Sequence, residues 1–163
     1  GIVCVLAIHH FKSLELAASE FRRVCASGPI VVFTFDPRKS DKFWLEEYFP
    51  RMWKKAFDVF DEIERTAEIL AADSMEYEII PFPLPDDLDD RFAASGWKYP
   101  EVYLDKNIRN SMSAFALEDQ ENVEKGIKNL KEDLDSGHWQ KAFGFLTEND
   151  EMDLGYRFIK IKK

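Results

Sequence analysis

Apolar residues fall into two kinds of run along this chain. Ile2, Val3, Cys4, Val5, Leu6, Ala7 and Ile8 are continuous and rich in β-branched side chains. That pattern predicts a strand over residues 2–8, buried on both faces as a parallel sheet requires. It stops at His9 and His10. From Ser13 the spacing becomes helical, with Leu14, Ala17, Ala18, Phe21 and Val24 or Cys25 on one stripe. Ser13 is placed to cap the helix start and Gly28 stands just past its end. Pro29 then leads into Ile30, Val31, Val32, Phe33, Thr34 and Phe35, a second predicted buried strand. The stretch 1–36 reads strand, helix, strand, in the manner of a right-handed βαβ unit.

Asp36 and Pro37 are predicted to end that strand. Phe43, Trp44, Leu45, Tyr48, Phe49, Met52, Trp53, Phe57 and Phe60 then run at helical periodicity, interrupted by Pro50. The pattern predicts a short helix and a second, long one over residues 51–72. After Asp73 and Ser74 a strand is expected over 77–81. The proline-rich stretch 81–85 can be only a loop or a sheet edge. A short helix is expected over 86–92, and longer ones over 105–115 and 121–137. The last run, 155–162, alternates apolar and cationic residues from Phe158 on, as an outer strand would. No repeat and no linker composition interrupts the chain, so a single domain over residues 1–163 is expected.

Composition narrows the function classes. The 163 residues are 45% hydrophobic and carry a formal charge of -9 with a pI near 4.9. That is enough apolar material for a core, and the charge argues against nucleic acid or an anionic membrane as partner. Cys4 and Cys25 form neither a disulfide framework nor a zinc spacing, so they are expected as buried thiols and no metal is expected. No apolar stretch approaches the roughly 18 residues of a membrane span, and a cytoplasmic location is the expectation. The chain opens inside a predicted core strand without a start Met, as if a segment upstream were missing.

Several words in order carry a resemblance. They are Val5-Leu6-Ala7-Ile8-His9-His10-Phe11, then Glu20-Phe21-Arg22-Arg23-Val24, then Gly28-Pro29-Ile30-Val31-Val32-Phe33, and finally Gly155-Tyr156-Arg157-Phe158. In this sequence of elements the chain resembles class I S-adenosylmethionine (SAM) dependent methyltransferases of the methyltransferase-11 type. The resemblance covers the C-terminal half of that fold, strands four to seven of seven. It implies an α/β, Rossmann-like architecture: a mostly parallel sheet with an antiparallel last strand and a helical lid or insertion. It also implies that the N-terminal half, with the glycine-rich cofactor loop, is supplied from elsewhere. No G-x-G occurs among the seven glycines of this chain. The resemblance therefore implies SAM as cofactor of the complete fold, with weak or no binding by this chain alone.

The same resemblance places the backbone of Leu6, Ala7 and Ile8 beside the methionine part of SAM, and His9 or His10 toward the substrate. An imidazole there would accept the acceptor's proton as the methyl moves. One of the two histidines could equally cap the following helix or pack on Phe11, and His138 is expected at a helix end on the surface. Asp36 stands in the corresponding place after the next strand, where it could orient substrate or a histidine, or simply cap the next segment. Trp44, Tyr48, Phe49 and Trp53 lie in the segment that covers the site in the family. With Phe43 they are expected to be core in at least three of five cases. Tyr103 and Arg109 belong to a later excursion that contributes to the substrate pocket in relatives. Arg109 could bind a carboxylate through two bonds, or sit in an ordinary ion pair.

These readings imply a methyltransferase acting on a small-molecule acceptor. The alternative is a non-catalytic methyltransferase-like module for interaction or oligomerisation. In both cases the edge of the first strand should pair with something. A second chain, or a missing N-terminal segment, is expected to cover it.

Overall fold

A computed structural model describes residues 1–72 and 75–162. Asp73 and Ser74, which precede the strand expected over 77–81, lie outside the described residues. The strands are β1 (Ile2–Val5), β2 (Ile30–Ser40), β3 (Glu76–Pro81), β4 (Leu84–Pro85), β5 (Glu151–Met152) and β6 (Leu154–Lys162). The helices are α1 (Leu14–Val24), α2 (Leu45–Tyr48), α3 (Pro50–Val59), α4 (Ile63–Ala71), α5 (Lys106–Ser111), α6 (Ser113–Ala116), α7 (Gln120–Ser136) and α8 (His138–Phe143). The chain divides into two compact units. The first comprises Gly1–Ser40, Ala56–Pro83 and the segment from Gly155 onward, the second Asp41–Lys55 and Leu84–Leu154.

The first unit carries a four-stranded sheet in the order β1-β2-β6-β3. β1 and β2 are parallel, with Ile2 opposite Ile30, and β3 pairs antiparallel with β6. The helix between β1 and β2 makes the expected βαβ unit. Ser13 caps α1 by accepting the Leu16 N–H at 3.2 Å. The apolar stripe of α1 packs on α4 and the sheet, forming a core of Cys4, Ala18, Ile30, Val32, Ala67, Leu70 and Ile159. Arg22 donates to the carbonyls of Ile69 and Leu70 at 2.9 and 3.0 Å, satisfying the last turn of α4, where a cation also suits the helix dipole. Both cysteines are buried, as expected.

Six expectations need correction. β1 is shorter than predicted and only one of its faces is covered in this chain, since Val3 and Val5 are 73% and 58% exposed while Cys4 is buried. β2 runs through Asp36 and Pro37 to Ser40 instead of ending there. Gly155, at φ +83, lets the β6 backbone lie so close to Asp36 and Ser40 that a Cβ would collide with the Asp36 carbonyl. β6 is an inner strand, between β2 and β3, because alternation reports which face is buried and not how many neighbours a strand has. The long helix expected over 51–72 is two, α3 and α4, separated at residues 60–62, and Pro50 starts α3 rather than interrupting a helix. The short helix expected over 86–92 is a turn followed by irregular chain. In the same region, the helix expected over 105–115 is divided at Met112 into α5 and α6.

The second unit is mainly helical, with the two-stranded β4-β5 ladder. Its centre is aromatic: Trp44, Trp97, Trp139, Tyr103 and Phe115 are almost wholly buried. α7 begins at the Asp119 cap and ends at Gly137, whose φ of +75 fits the left-handed residue that closes a helix. The exposed His138 opens α8 directly after it, at a helix end as expected.

Candidate functional site

At the end of β1 the backbone turns sharply. Leu6 adopts φ +45, a left-handed conformation that a branched side chain avoids, while its N–H bonds the Phe33 carbonyl at 2.8 Å. Such strain costs about 1–3 kcal/mol and persists only where the surroundings over-determine it. The turn passes through Ala7 into a 3-10 turn of Ile8, His9 and His10. Ile8 is buried in the core, so what this segment offers a ligand is backbone and the two imidazoles.

Beside that turn lies a cleft of about 320 Å³ within the first unit. Its walls come from the 3-10 turn, the start of α1, Thr34 of β2, residues 59–61, and Arg65, Thr66 and Ile69 of α4. His9 lines it, half-buried, with its ring 4.5 Å from that of Phe60 and 4.0 Å from that of His10. His9 Nδ1 is buried and has no hydrogen-bond partner. Burial first, then repulsion from His10, lowers the His9 pKa below its ordinary 6.5, so the ring is neutral at neutral pH. His10 is exposed and does not line the cleft. The rim carries Lys12, Glu15, Asp61 and Arg65. The Glu15 carboxyl is held below its usual range by its own backbone N–H and the Ser13 hydroxyl, with a smaller contribution from the charge of Arg65.

Asp36 is near but differently occupied. Fully buried, it accepts the Arg38 N–H at 2.9 Å, the Arg38 guanidinium at 3.2 Å and the Ile63 N–H at 3.1 Å. Lying within β2, it bonds the first N–H of α4 rather than capping the segment that follows it in sequence, and both carboxylate oxygens are engaged by the chain itself.

The aromatic residues expected to cover the site lie in the second unit. Trp44 donates through Nε1 to the Trp97 carbonyl at 2.7 Å and meets Tyr103 and Trp139 edge to face. Tyr48 donates to Asp133 at 2.7 Å, and Tyr103 donates to the Ala93 carbonyl at 2.7 Å. Burial pushes both phenols well above their ordinary pKa. Phe49 meets Phe115 at 4.9 Å, and Arg109 bonds the Tyr103 carbonyl. Phe43, Trp44, Tyr48 and Phe49 are buried, and Trp53 is half-buried against Phe43. Four of the five are core, in keeping with the expectation of at least three. Tyr48 and Phe49 also edge a second hollow, of about 300 Å³, next to Glu118, whose carboxylate pairs with Lys55 at 2.8 Å.

The structure thus brings together Ile8, His9 and Thr34, while Leu6 and Ala7 form the turn that leads to the cleft and are not among its lining residues. It leaves Trp44, Tyr48, Phe49, Trp53, Tyr103 and Arg109 in another unit. Sequence reasoning missed Phe60, Thr34, Glu15 and Arg65 as cleft residues. Glu15 lies in the first turn after the Ser13 cap, a local signal available for it; nothing local marked the other three. Among the described residues no group of three His, Cys, Asp or Glu is placed to hold a metal ion, and no helix is long and apolar enough to cross a membrane.

No protein-family model matches the chain, and no curated protein does. Among solved structures it is similar to a crystal structure from Anabaena variabilis ATCC 29413, described as that of a candidate methyltransferase from an antibiotic biosynthesis pathway. The likeness has a TM-score of 0.96 and 41% identity, and covers 100% of this chain and 66% of that one. The chain therefore spans just under two thirds of the length of the protein it matches.

Proposed function

We propose, from the premise that this chain has the fold of a methyltransferase, that it serves a SAM-dependent methyl transfer to a small-molecule acceptor. The observation that carries the reading is a neutral, half-buried His9 with an unpartnered nitrogen, facing a cleft at the outlet of β1 in a chain of that fold. When bound, SAM supplies an electrophilic methyl group on a sulfonium centre. The strained turn at Leu6 and Ala7 fits a place where backbone meets a ligand. Those residues, with Ile8, would hold one side of the cofactor. With no G-x-G turn in this chain, the other side would come from a different segment, and this chain alone would bind SAM weakly.

The chain's own part is to exclude water and to take a proton. His9 is kept neutral by burial, so it can accept the proton that an acceptor hydroxyl, amine or acidic carbon releases. Phe60 covers one side of its ring. Catalysis would come largely from holding the two reactants in line, with a modest contribution from the base. We propose as well that a further segment or second chain pairs with the outer edge of β1 and covers the face on which Val3 and Val5 are open.

The test is transfer of a labelled methyl group from SAM to a low-mass acceptor by the complete protein. Label in such a product, with SAM binding to the 163-residue chain much weaker than to the complete protein, supports the reading. Submillimolar SAM affinity for this chain alone would overturn the divided cofactor site, and label found only in protein or nucleic acid would overturn the acceptor class.

A further inference from the structure

We infer that Asp36 and Arg38 are positioning residues that hold the aromatic wall of the His9 cleft in place. This inference rests on the reading of His9 as proton acceptor for its consequence, not for its geometry.

Residues 59–61 form that wall, between the end of α3 and the start of α4. A break between two helices leaves carbonyls unpaired on one side and N–H groups on the other. Here one ion pair satisfies both. The Arg38 guanidinium donates to the Phe57 and Phe60 carbonyls, each at 3.1 Å, and lies 5.5 Å from the centre of the Phe57 ring. Asp36, 3.2 Å from the same guanidinium, takes the first N–H of α4 at Ile63. Arg38 is also within 3.9 Å of Glu62. Three of the four chain positions from 60 to 63 are therefore tied to two side chains on one strand. The planar fork of arginine suits this task because it can serve several oxygens at once.

The consequence falls on His9. The Phe60 ring sits 4.5 Å from the imidazole at 53°, and Phe35 also meets Phe60, edge to face at 5.0 Å. Releasing the Phe60 carbonyl frees the ring to swing and the cleft to widen. Asp36 then acts on the site through Phe60 without touching the cleft itself.

The experiment is proton NMR of the His9 ring in the full chain without ligand, with H9Q to assign the signal and F60L to mark its position without the neighbouring ring. Arg38→Met removes every side-chain donor and leaves the backbone N–H that bonds Asp36. Arg38→Lys keeps a charge beside the buried Asp36, so it preserves the fold, but it cannot serve both carbonyls. The inference expects R38M to lose the larger part of the ring-current shift toward the F60L position, and R38K to fall between R38M and the parent. Should R38M not fold, R38K alone decides. Folded R38K and R38M with His9 at the parent position, and only a lower unfolding midpoint, would overturn it, because that is what mere structural support produces. No methyl transfer enters this readout, so failure of the proposed activity leaves it standing, and its failure leaves the activity standing.

Discussion

In the second unit Trp44, Tyr48 and Tyr103 are sealed inside and each directs its polar atom to a named partner. Trp139 Nε1 is the exception. In the first unit Phe60 and His9 meet at a cleft, His9 is half-buried, and its Nδ1 has no partner. Both regions are aromatic, so hydrophobicity does not separate them. What separates them is access: Trp139 Nε1 is unanswered inside a sealed core, whereas His9 Nδ1 is unanswered on a ring that lines a cleft. The sealed region is a core and the open one is the place to look for chemistry.

Four changes should break or sharpen that contrast. The largest effect is expected for Trp44→Ala, which removes a fully buried ring and leaves the Trp97 carbonyl unpaired. A loss of about 3–5 kcal/mol in urea unfolding is predicted. Gly126→Ala should come next. A Cβ there meets the Phe49 ring and the Tyr48 carbonyl, and calorimetry should show overpacking of about 1–3 kcal/mol. In the first unit Ser13→Ala removes the cap of α1 and the hydroxyl bonded to Glu15 at 2.9 Å. A cost of about 0.5–2 kcal/mol is expected from denaturant melts.

The smallest effect is a pH dependence. The His9 pKa is lower in the folded chain than its ordinary 6.5, so the unfolded chain binds a proton that the folded one does not. Stability should therefore decline as pH falls through 6.5 and level off below the folded value. H9Q should remove that part of the slope, as paired unfolding curves would show.

Local pattern carried the βαβ unit well, because strand and helix periodicities and the Ser13 cap are neighbours in sequence. The break between α3 and α4 was hidden because its cap, Asp36, lies 27 residues from Ile63. The continuation of β2 past Pro37 was hidden for a similar reason, since the glycine that permits it is Gly155. For the candidate site, His9 was readable from its position after an apolar run. Which of His9 and His10 would face the cleft was not, because it depends on the strained turn at Leu6. The aromatic stripe was ambiguous, as helical spacing of Trp and Tyr fits a core and a lid equally.

The most direct measurement is the pH–rate profile of methyl transfer by the complete protein and its H9Q variant at saturating SAM. The expected rate holds as pH falls through 6.5, drops only at the lowered His9 pKa, and in H9Q is about 10²–10⁴-fold lower without that limb. An H9Q enzyme with the parent rate and the same acid limb would contradict it.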